Sequence, residues 1–371
     1  MTERIGISSK GERRLRGFGI VGAGAISSTH ADAIASLPDA RLVAVTDVEP
    51  GRAKSLAARN DCAAEPDLDA LLARDDIDVV SVCVPSGLHA EVGIRAAAAG
   101  KHLVVEKPLD VSLEAADRLI SAVRAAGVVI TVISQHRFDQ GLIELRRLLD
   151  GGQLGRLVLG EASTKWYRSQ DYYDSAAWRG TWALDGGSLM NQGVHYLDLL
   201  LWSMGPVAEV TALFSTQTHQ IEVEDAALAV LRFSSGAVGT IVASTAVFPG
   251  SAQRLEISGT RGTVVIEDGE IIRCELSADS AEASPRESLT ARGSAPPTVA
   301  STPTGLKIAS HAAQISDLLH AIDEGRAPLV TGEDGRAAVE LMCAVYESAR
   351  DARTVRLPAV SGMRDNPRGS S

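Results

Sequence analysis

The chain has 371 residues, of which 45% are hydrophobic and 22% charged, and its formal net charge is −11. This length favours two domains, and the acidic balance disfavours nonspecific nucleic-acid binding, which depends on Lys and Arg. No apolar run approaches the ~20 residues that span a bilayer, so no membrane partner is expected. The four cysteines are Cys62, Cys83, Cys274 and Cys343. They form no CxxC pair, which predicts reduced thiols, no metal site and a cytoplasmic location.

Short apolar strands alternate with Ala-rich amphipathic helices from residue 16 to residue 135. Strands are predicted at residues 18–21, 42–45, 79–84, 102–105 and 128–132. Near-continuous β-branched strands indicate a parallel sheet covered on both faces, that is, a doubly wound α/β domain. The polar segment 1–15 before it is interpreted as a flexible N-terminal tail.

A different pattern follows in residues 136–358. A helix and a strand precede a second helix near 188–203. Alternating strands with Gly turns then occupy residues 207–275 and indicate a large, open, mainly antiparallel sheet. We predict an α+β domain over this segment and a flexible C-terminal tail at 359–371.

The sequence GAGAIS follows the first predicted strand and leads into a helix. Gly22 permits a tight turn, and Gly24 lets the backbone approach a pyrophosphate. Ala25 and Ile26 begin the helix, whose N-terminus supplies free N–H groups and the positive end of the dipole. A lone match of this kind is weak evidence, but its position between a strand and a helix is the one that a dinucleotide site requires.

Two further strand ends are predicted to contact the cofactor. Asp47 ends the second strand, where a carboxylate binds the ribose hydroxyls and repels a 2′-phosphate, so NAD is expected rather than NADP. Capping of a turn is the alternative role for Asp47. Pro85, Ser86 and His89 follow the third strand and are expected along the same crevice. No catalytic role is assigned to His89, for which a surface position at a helix start is the alternative.

The segment VVEKPL ends a predicted strand in Glu106, Lys107 and Pro108. Because this strand also ends at the crevice, Glu106 and Lys107 are predicted to lie at the nicotinamide end of the cofactor. An ammonium there binds the oxygen of a substrate alcohol, and the proline stiffens the turn that aims it. A solvated Glu-Lys pair is the alternative.

The segment GGSLMNQGVHYLDLLLW places Asn191, His195 and Asp198 at i, i+4 and i+7, on one face of a helix. Three polar side chains on one face of an otherwise apolar helix favour a substrate cavity, whereas a single histidine there would be typical of a protein core. In this interpretation His195 takes the hydroxyl proton, Lys107 holds the developing alkoxide, and hydride leaves to the nicotinamide.

The turn GxGxxS, the segment GKHLVVEKPL and the segment GGSLMNQGVHYLDLL occur in the order and spacing of one family. Over roughly residues 16 to 357 the chain resembles the Gfo/Idh/MocA family of NAD(P)-dependent oxidoreductases. The resemblance implies a Rossmann domain followed by a domain whose open sheet mediates assembly into a homodimer or homotetramer. It also implies that Lys107 and His195 are catalytic and that the Lys107–Pro108 peptide is often cis. Asn191 replaces the aspartate of inositol dehydrogenases, a form closer to branches acting on sugars and nucleotide-linked sugar acids.

Aromatic residues cluster between residues 166 and 182 although they make up only 4% of the chain. The cluster comprises Trp166, Tyr167, Tyr172, Tyr173, Trp178 and Trp182. Aromatic faces suit the C–H surface of a sugar ring, so Trp178 and Arg179 are predicted to contact substrate. An oligomer contact is the alternative. Arg168 and Arg179 are expected to pair with nearby acids (Asp171, Asp174 or Asp185), which favours a neutral ring over a sugar acid.

The leading hypothesis is an NAD-dependent dehydrogenase that oxidises a ring secondary hydroxyl of a sugar, sugar derivative or cyclitol, or reduces the corresponding ketone. A nucleotide-sugar acid dehydrogenase and a non-catalytic NAD-sensing regulator are the main alternatives. An NAD-dependent glycosidase is a further one, but no clear match to its Gly/His signatures is present. The presence of both Lys107 and His195 argues against a regulator that has lost its chemistry.

Overall fold

The computed structural model describes residues 14–277 and 308–358. The predicted C-terminal tail and residues 1–13 of the predicted N-terminal tail therefore lie outside the described residues. Within the described ranges, no helix has the length and apolarity needed to cross a bilayer.

A sheet of six parallel strands forms the first half of the fold, in the order β3-β2-β1-β4-β5-β6. Its elements are β1 (Arg16–Val21), α1 (Ala25–Ala35), β2 (Ala40–Thr46), α2 (Pro50–Arg59), β3 (Ala63–Ala64), α3 (Leu68–Leu72), β4 (Val79–Val82), α4 (His89–Ala98), β5 (His102–Val105), α5 (Leu113–Ala126) and β6 (Ile130–Val132). All residues of β4 and β6 are buried, as strands covered on both faces require. The strand order reverses between β1 and β4, which opens a crevice at their carboxyl ends.

An eight-stranded sheet forms the second half, in the order β13-β12-β11-β7-β10-β9-β8-β14. Its elements are α6 (Gln140–Asp150), β7 (Leu157–Lys165), α7 (Gln170–Asp174), α8 (Val194–Met204), β8 (Val207–Ser215), β9 (Ala226–Phe233), β10 (Val238–Ser244), β11 (Arg254–Gly259), β12 (Gly262–Glu267), β13 (Glu270–Leu276), α9 (Ile308–Glu324), α10 (Gly332–Asp351) and β14 (Val355–Arg356). Only β7 and β10 pair in parallel; the other pairs are antiparallel. The predicted fold class is confirmed for both sheets.

One face of the second sheet is covered by helices, and within residues 14–277 and 308–358 the other face is uncovered. The side chains of Leu200 and Met204 in α8 pack against Gly160 of β7, where a Cβ would lie 2.8 Å from each. Along β9 exposed and buried residues alternate, so that Leu228 and Val230 point away from this layer. The sheet therefore has an outer face that carries apolar side chains.

Helix α9 returns to the first half of the fold. Its Ile315 and Leu318 belong to the same buried cluster as Phe18 and Ile20 of β1. The two halves thus share a core, although their sheets are separate. The predicted domain boundary between residues 135 and 136 stays a prediction, and the change of sheet occurs between β6 and β7.

Candidate active site

The glycine-rich turn between β1 and α1 has the geometry of a dinucleotide site. Gly22 has φ +95°, and a Cβ there would lie 2.5 Å from the carbonyl oxygen of Cys83. At Gly24 a Cβ would project into open space, with no atom within 4 Å. No side chain caps the N-terminus of α1 and no acidic residue lies in its first turn. An exposed backbone with free N–H groups therefore stands where the pyrophosphate of NAD would bind.

Asp47 lies beside this turn at the end of β2. Its Oδ2 accepts a hydrogen bond from the backbone N–H of Ala23 at 2.6 Å, and its Oδ1 accepts one from Glu49 at 2.7 Å. The carboxylate therefore caps a turn, as the alternative interpretation held, and also orients the glycine-rich turn. The contact with a ribose hydroxyl stays a prediction.

Pro85 and Ser86 follow β4, which is the third strand predicted from the sequence. Ser86 begins a 3₁₀ turn, Ser86–Leu88, and His89 comes directly after that turn. The His89 ring is buried rather than on the surface, with Nδ1 2.7 Å from the Pro108 carbonyl oxygen and Nε2 2.9 Å from that of Val84. Burial lowers the pKa of His89, and a neutral ring donates to only one of the two carbonyls. The ring thus ties the end of β4 to the turn after β5.

Glu106 is buried, and each of its carboxylate oxygens has a hydrogen-bond partner in the protein. Its Oε1 lies 2.7 Å from Nε2 of His30, and its Oε2 accepts a bond from the backbone N–H of Lys107 at 3.1 Å. Burial by itself raises the pKa of the Glu106 carboxyl. The hydrogen bond from His30 and the positive charge of the His30 ring more than offset this effect and lower the pKa of Glu106 to about 2. Glu106 thus sets the backbone of Lys107, and its predicted contact with the cofactor stays a prediction.

His311 of α9 completes a buried group with His30 and Glu106 whose ligand atoms lie within 4.8 Å of one another. Nitrogen and oxygen ligands about 2.0–2.1 Å from a tetrahedral metal stand about 3.3 Å apart. The 2.7 Å between His30 and Glu106 is shorter and is a hydrogen-bond distance. The described arrangement is therefore that of an internal ion pair.

Lys107 follows β5 at a cis peptide bond to Pro108, as the family resemblance implies. Its Nζ donates to the carbonyl oxygen of Asn191 at 2.8 Å and to the side-chain oxygen of that residue at 3.4 Å. Burial lowers the pKa of Lys107, with Glu106 and Asp185 opposing this shift. The ammonium is thus held at the junction of the two halves by an element of the second.

The predicted helix near 188–203 begins with a π-helical turn, Leu189–Gly193, and continues as α8. Asn191 lies in this turn, and its amide nitrogen donates to Asp185. The same amide carries the oxygen that accepts from Lys107 and, at 3.1 Å, from Gln192. Asn191 therefore fixes the position of the Lys107 ammonium. π-Helical turns of this kind are frequent at functional sites.

His195 is half-buried one turn further on. Burial lowers the pKa of His195 well below its usual value, and the charge of Lys107 lowers it further. The ring packs edge-on against His136 at 5.4 Å between centroids, and it makes no hydrogen bond to any other residue that the structure describes. A neutral imidazole with free nitrogens lines the same small pocket as Lys107.

Asp198 lies in a buried ion pair. Its Oδ2 accepts from Nε of Arg137 at 2.8 Å and its Oδ1 from Nη2 at 2.5 Å, and the Ser134 hydroxyl also donates to it. Because both oxygens are engaged, the predicted substrate contact of Asp198 would compete with this pair. Its observed contacts connect α8 to the segment after β6.

Trp178 and Arg179 are both half-buried and stack on each other, with the Arg179 Cζ 4.5 Å from the Trp178 ring centroid. The ion pair expected for Arg179 does not form among the described residues. Asp185 instead accepts from the backbone N–H of Gly180 at 2.7 Å and from Asn191. The substrate contacts of Trp178 and Arg179 stay predictions.

Sequence reasoning missed the residues that support the site from a distance. Glu224 accepts hydrogen bonds from the backbone N–H groups of Ser188 and Leu189 and, at 3.0 Å, from the hydroxyl of Tyr346. It thus holds the start of the π-helical turn from a loop before β9. Nothing local in the sequence signals this role, because Glu224 reads as an ordinary acidic residue beside a strand.

Comparisons with known proteins agree with this geometry. Residues 16–134 match the model of an oxidoreductase family with an NAD-binding Rossmann fold, and residues 142–265 match the GFO/IDH/MocA C-terminal domain. The chain belongs to the Gfo/Idh/MocA oxidoreductase family. The predicted family, the NAD cofactor and an oxidoreductase acting on CH–OH groups are thereby confirmed.

Three relatives show the range of the family around this chain. An inositol 2-dehydrogenase of Rhizobium meliloti is 27% identical over 92% of this chain and 98% of its own. A scyllo-inositol 2-dehydrogenase (NAD(+)) of Bacillus subtilis is 28% identical over 91% and 95%. The WlbA dehydrogenase of Bordetella pertussis, solved with NADH and UDP-GlcNAcA, is 32% identical over 94% of this chain and 100% of its own, with a TM-score of 0.81.

Proposed function

We propose that this protein uses NAD to oxidise a secondary hydroxyl on the ring of a sugar, sugar derivative or cyclitol, or to reduce the corresponding ketone. The observation that carries the proposal is that one pocket holds the Lys107 ammonium and a neutral His195 that makes no hydrogen bond to the described part of the chain. Relatives that act on inositols, and one that was solved with NADH and a sugar nucleotide, support it.

Each residue has a distinct task in this proposal. NAD, when bound along the glycine-rich turn, supplies the hydride acceptor. The Lys107 ammonium donates a hydrogen bond to the reacting oxygen and stabilises negative charge that develops there. The His195 ring accepts the hydroxyl proton, for which burial keeps it neutral. Asn191 fixes the lysine, and Glu106 fixes its backbone.

The test is incubation of the purified protein with NAD and a panel of pyranoses, cyclitols and linear polyols, while the absorbance of reduced nicotinamide is followed. We expect ring substrates to reduce NAD and linear polyols to do so poorly. NAD binding without turnover of any member would instead favour the regulator. Release of a glycosidic product would favour the glycosidase.

We also propose that the open face of the second sheet joins copies of the chain into a homodimer or homotetramer. Leu213, Leu228 and Val230 are 73%, 52% and 57% exposed, and Leu213 is paired with Leu228 across neighbouring strands. Apolar side chains clustered on one face are typical of a protein interface. Light scattering after gel filtration should give a dimer or larger for wild type and a monomer for Leu228→Glu. Leu329→Glu, at a 66% exposed leucine elsewhere, is the control.

A cytoplasmic location is proposed on the state of the cysteines. Within the described residues all four thiols, Cys62, Cys83, Cys274 and Cys343, are free. Free thiols are typical of a reducing compartment. Cell fractionation that recovers the protein outside the cytoplasm would contradict this assignment.

A further inference from the structure

Arg179 packs against two aromatic rings. Its Cζ lies 4.2 Å from the centroid of the Tyr172 ring and 4.5 Å from that of Trp178, and its Nη1 donates to the Tyr172 hydroxyl at 2.6 Å. Two ring contacts and one short hydrogen bond restrict the orientation of the guanidinium. A planar donor held in this way is prepared for a ligand, because little rotamer freedom is left to lose on binding.

The opposite edge of the same guanidinium is unused. Nε of Arg179 is buried without a hydrogen-bond partner, and neither Nε nor Nη2 bonds to any other residue in 14–277 or 308–358. A buried donor without a partner costs about 1–3 kcal/mol unless something satisfies it. The Nε–Nη2 edge is a fork of two parallel N–H donors, which matches the two oxygens of a carboxylate or of a phosphate.

A hydrogen-bonded chain leads from Nη1, on the other side of the guanidinium, to Lys107. Arg179 donates to the Tyr172 hydroxyl, which also accepts from Gln192 at 3.4 Å. Gln192 donates to the Asn191 side-chain oxygen at 3.1 Å, and Lys107 donates to that same residue. Arg179 therefore belongs to the same wall of the site as Lys107.

This wall holds three cationic groups and two carboxylates that the protein already engages. Burial lowers the pKa of Lys107, the charges of Glu106 and Asp185 raise it, and the charges of Arg179 and Arg168 lower it further. Glu106 is hydrogen-bonded to His30, and Asp185 to Asn191. Arg168 lies in the same aromatic cluster, with its Cζ 5.0 Å from the Trp166 ring centroid. Because both carboxylates are already engaged, the cationic groups of this wall favour an anionic ligand.

We propose that the substrate ring carries an acidic group, a carboxylate or a phosphate, and that the Nε–Nη2 edge of Arg179 binds it while Lys107 and His195 act on the ring hydroxyl. This inference rests on the proposed function and narrows its substrate class. It also replaces the neutral ring favoured by the sequence, because that preference depended in part on an ion pair of Arg179 that does not form among the described residues. Arg179 is a specificity residue in this proposal, not a catalytic one.

Binding to the wild-type protein saturated with NADH is the first test, because binding does not depend on turnover. Three matched ligands are compared by calorimetry: a neutral hexopyranose, its uronic acid and its 6-phosphate. We expect at least one acidic ligand to bind 10- to 100-fold more tightly than the neutral sugar. Whichever acidic ligand binds more tightly, the uronic acid or the 6-phosphate, shows whether the acidic group of the substrate is a carboxylate or a phosphate. Equal binding of all three, or no detectable binding of either acidic ligand, would overturn the inference.

Turnover of the same ligands with NAD separates this inference from the proposed function. Tight binding of an acid with no reduction of NAD by any ring compound would support the inference and contradict dehydrogenase activity. Turnover of a neutral ring that is not surpassed by either acid would support the dehydrogenase and overturn the inference.

Arg179→Lys tests the fork itself, since it keeps the charge and removes the planar pair of donors. We expect the ratio of acid affinity to neutral affinity to fall by about 10- to 100-fold. Arg147→Lys, at an exposed arginine paired with Glu144, is the matched control and should keep the wild-type ratio. If Arg179→Lys does not fold by circular dichroism, Tyr172→Phe removes only the hydroxyl that holds Nη1, and a selective loss of acid affinity is again expected. A full acid preference in a folded Arg179→Lys protein would contradict the role of the fork.

Discussion

At the cofactor edge of the first sheet, each important residue follows its own strand within two positions: Gly22 after β1, Asp47 after β2 and Lys107 after β5. On the substrate side, His195 and Arg179 lie in a helix and a loop that are held by contacts far apart in the chain. Glu224 holds the start of the π-helical turn from a distance of 35 or more positions. The first region is organised by local sequence and the second by tertiary contacts.

Glu106 and Lys107 show the same difference between two adjacent residues. Glu106 points inward to His30 and is held as a buried carboxylate, whereas Lys107 points toward Asn191 and the pocket. Residues that are neighbours in a motif therefore serve different halves of the site. One sets the backbone, and the other lines the pocket.

The largest expected effect comes from the two residues at the meeting point of both regions. Lys107→Ala and His195→Ala should each lower kcat by roughly 10²–10⁴-fold, because both groups act in the transition state. NAD affinity, measured by fluorescence titration, should change little. Lys165→Ala, at an exposed lysine of the second half, is the control and should keep wild-type turnover. Near-normal kcat in Lys107→Ala would show that the ammonium holds Asn191 without taking part in the reaction.

The buried ion pair tests how strongly tertiary contacts hold the substrate side. Asp198→Ala should lower the free energy of unfolding by about 3 kcal/mol or more, since it leaves the Arg137 charge buried without its main partner. Denaturant titration measures this change. Asp150→Ala removes an exposed pair with Arg146 and should cost less than about 1 kcal/mol. Equal losses in the two variants would show that burial of the Asp198 pair does not matter.

Asp47 tests the locally organised region. Asp47→Ser should change the ratio of kcat/KM for NAD over NADP by about tenfold toward NADP, because a single charged hydrogen bond and a repulsion from the 2′-phosphate are lost. Steady-state kinetics with both cofactors measure this ratio. A wild-type preference for NADP would contradict the assigned role of the carboxylate.

The pH dependence of kcat/KM is the mildest test. His195 must be neutral to accept a proton, and since burial lowers its pKa, activity should persist below pH 6.5 and fall only at more acidic values. Lys107 must be protonated to donate, and since burial lowers its pKa from 10.5, activity should fall on the alkaline side before that value. A rate profile with its acidic limb centred above pH 6.5 would place a different base in the reaction.

Both sheets, the glycine-rich turn and the residues Lys107 and His195 could be predicted from the sequence. Their signals are local, because strand periodicity, a turn that needs glycine and polar groups at helical spacing all act within a few residues. The helix carrying His195 was predicted as regular, whereas it begins with a π-helical turn. That turn depends on Glu224 and Asp185, which are distant or unremarkable in the sequence.

By itself, then, the sequence determined the fold class, the cofactor edge and the positions of the two residues proposed to act on the substrate, since each follows from short-range backbone and periodicity requirements. Only the tertiary structure decided which charged side chains remain available. Asp198 is engaged by Arg137, and Glu106 by His30, while Nε of Arg179 has no hydrogen-bond partner among the described residues. The physical reason is that the partner of a buried charge is chosen by packing between elements that are remote along the chain.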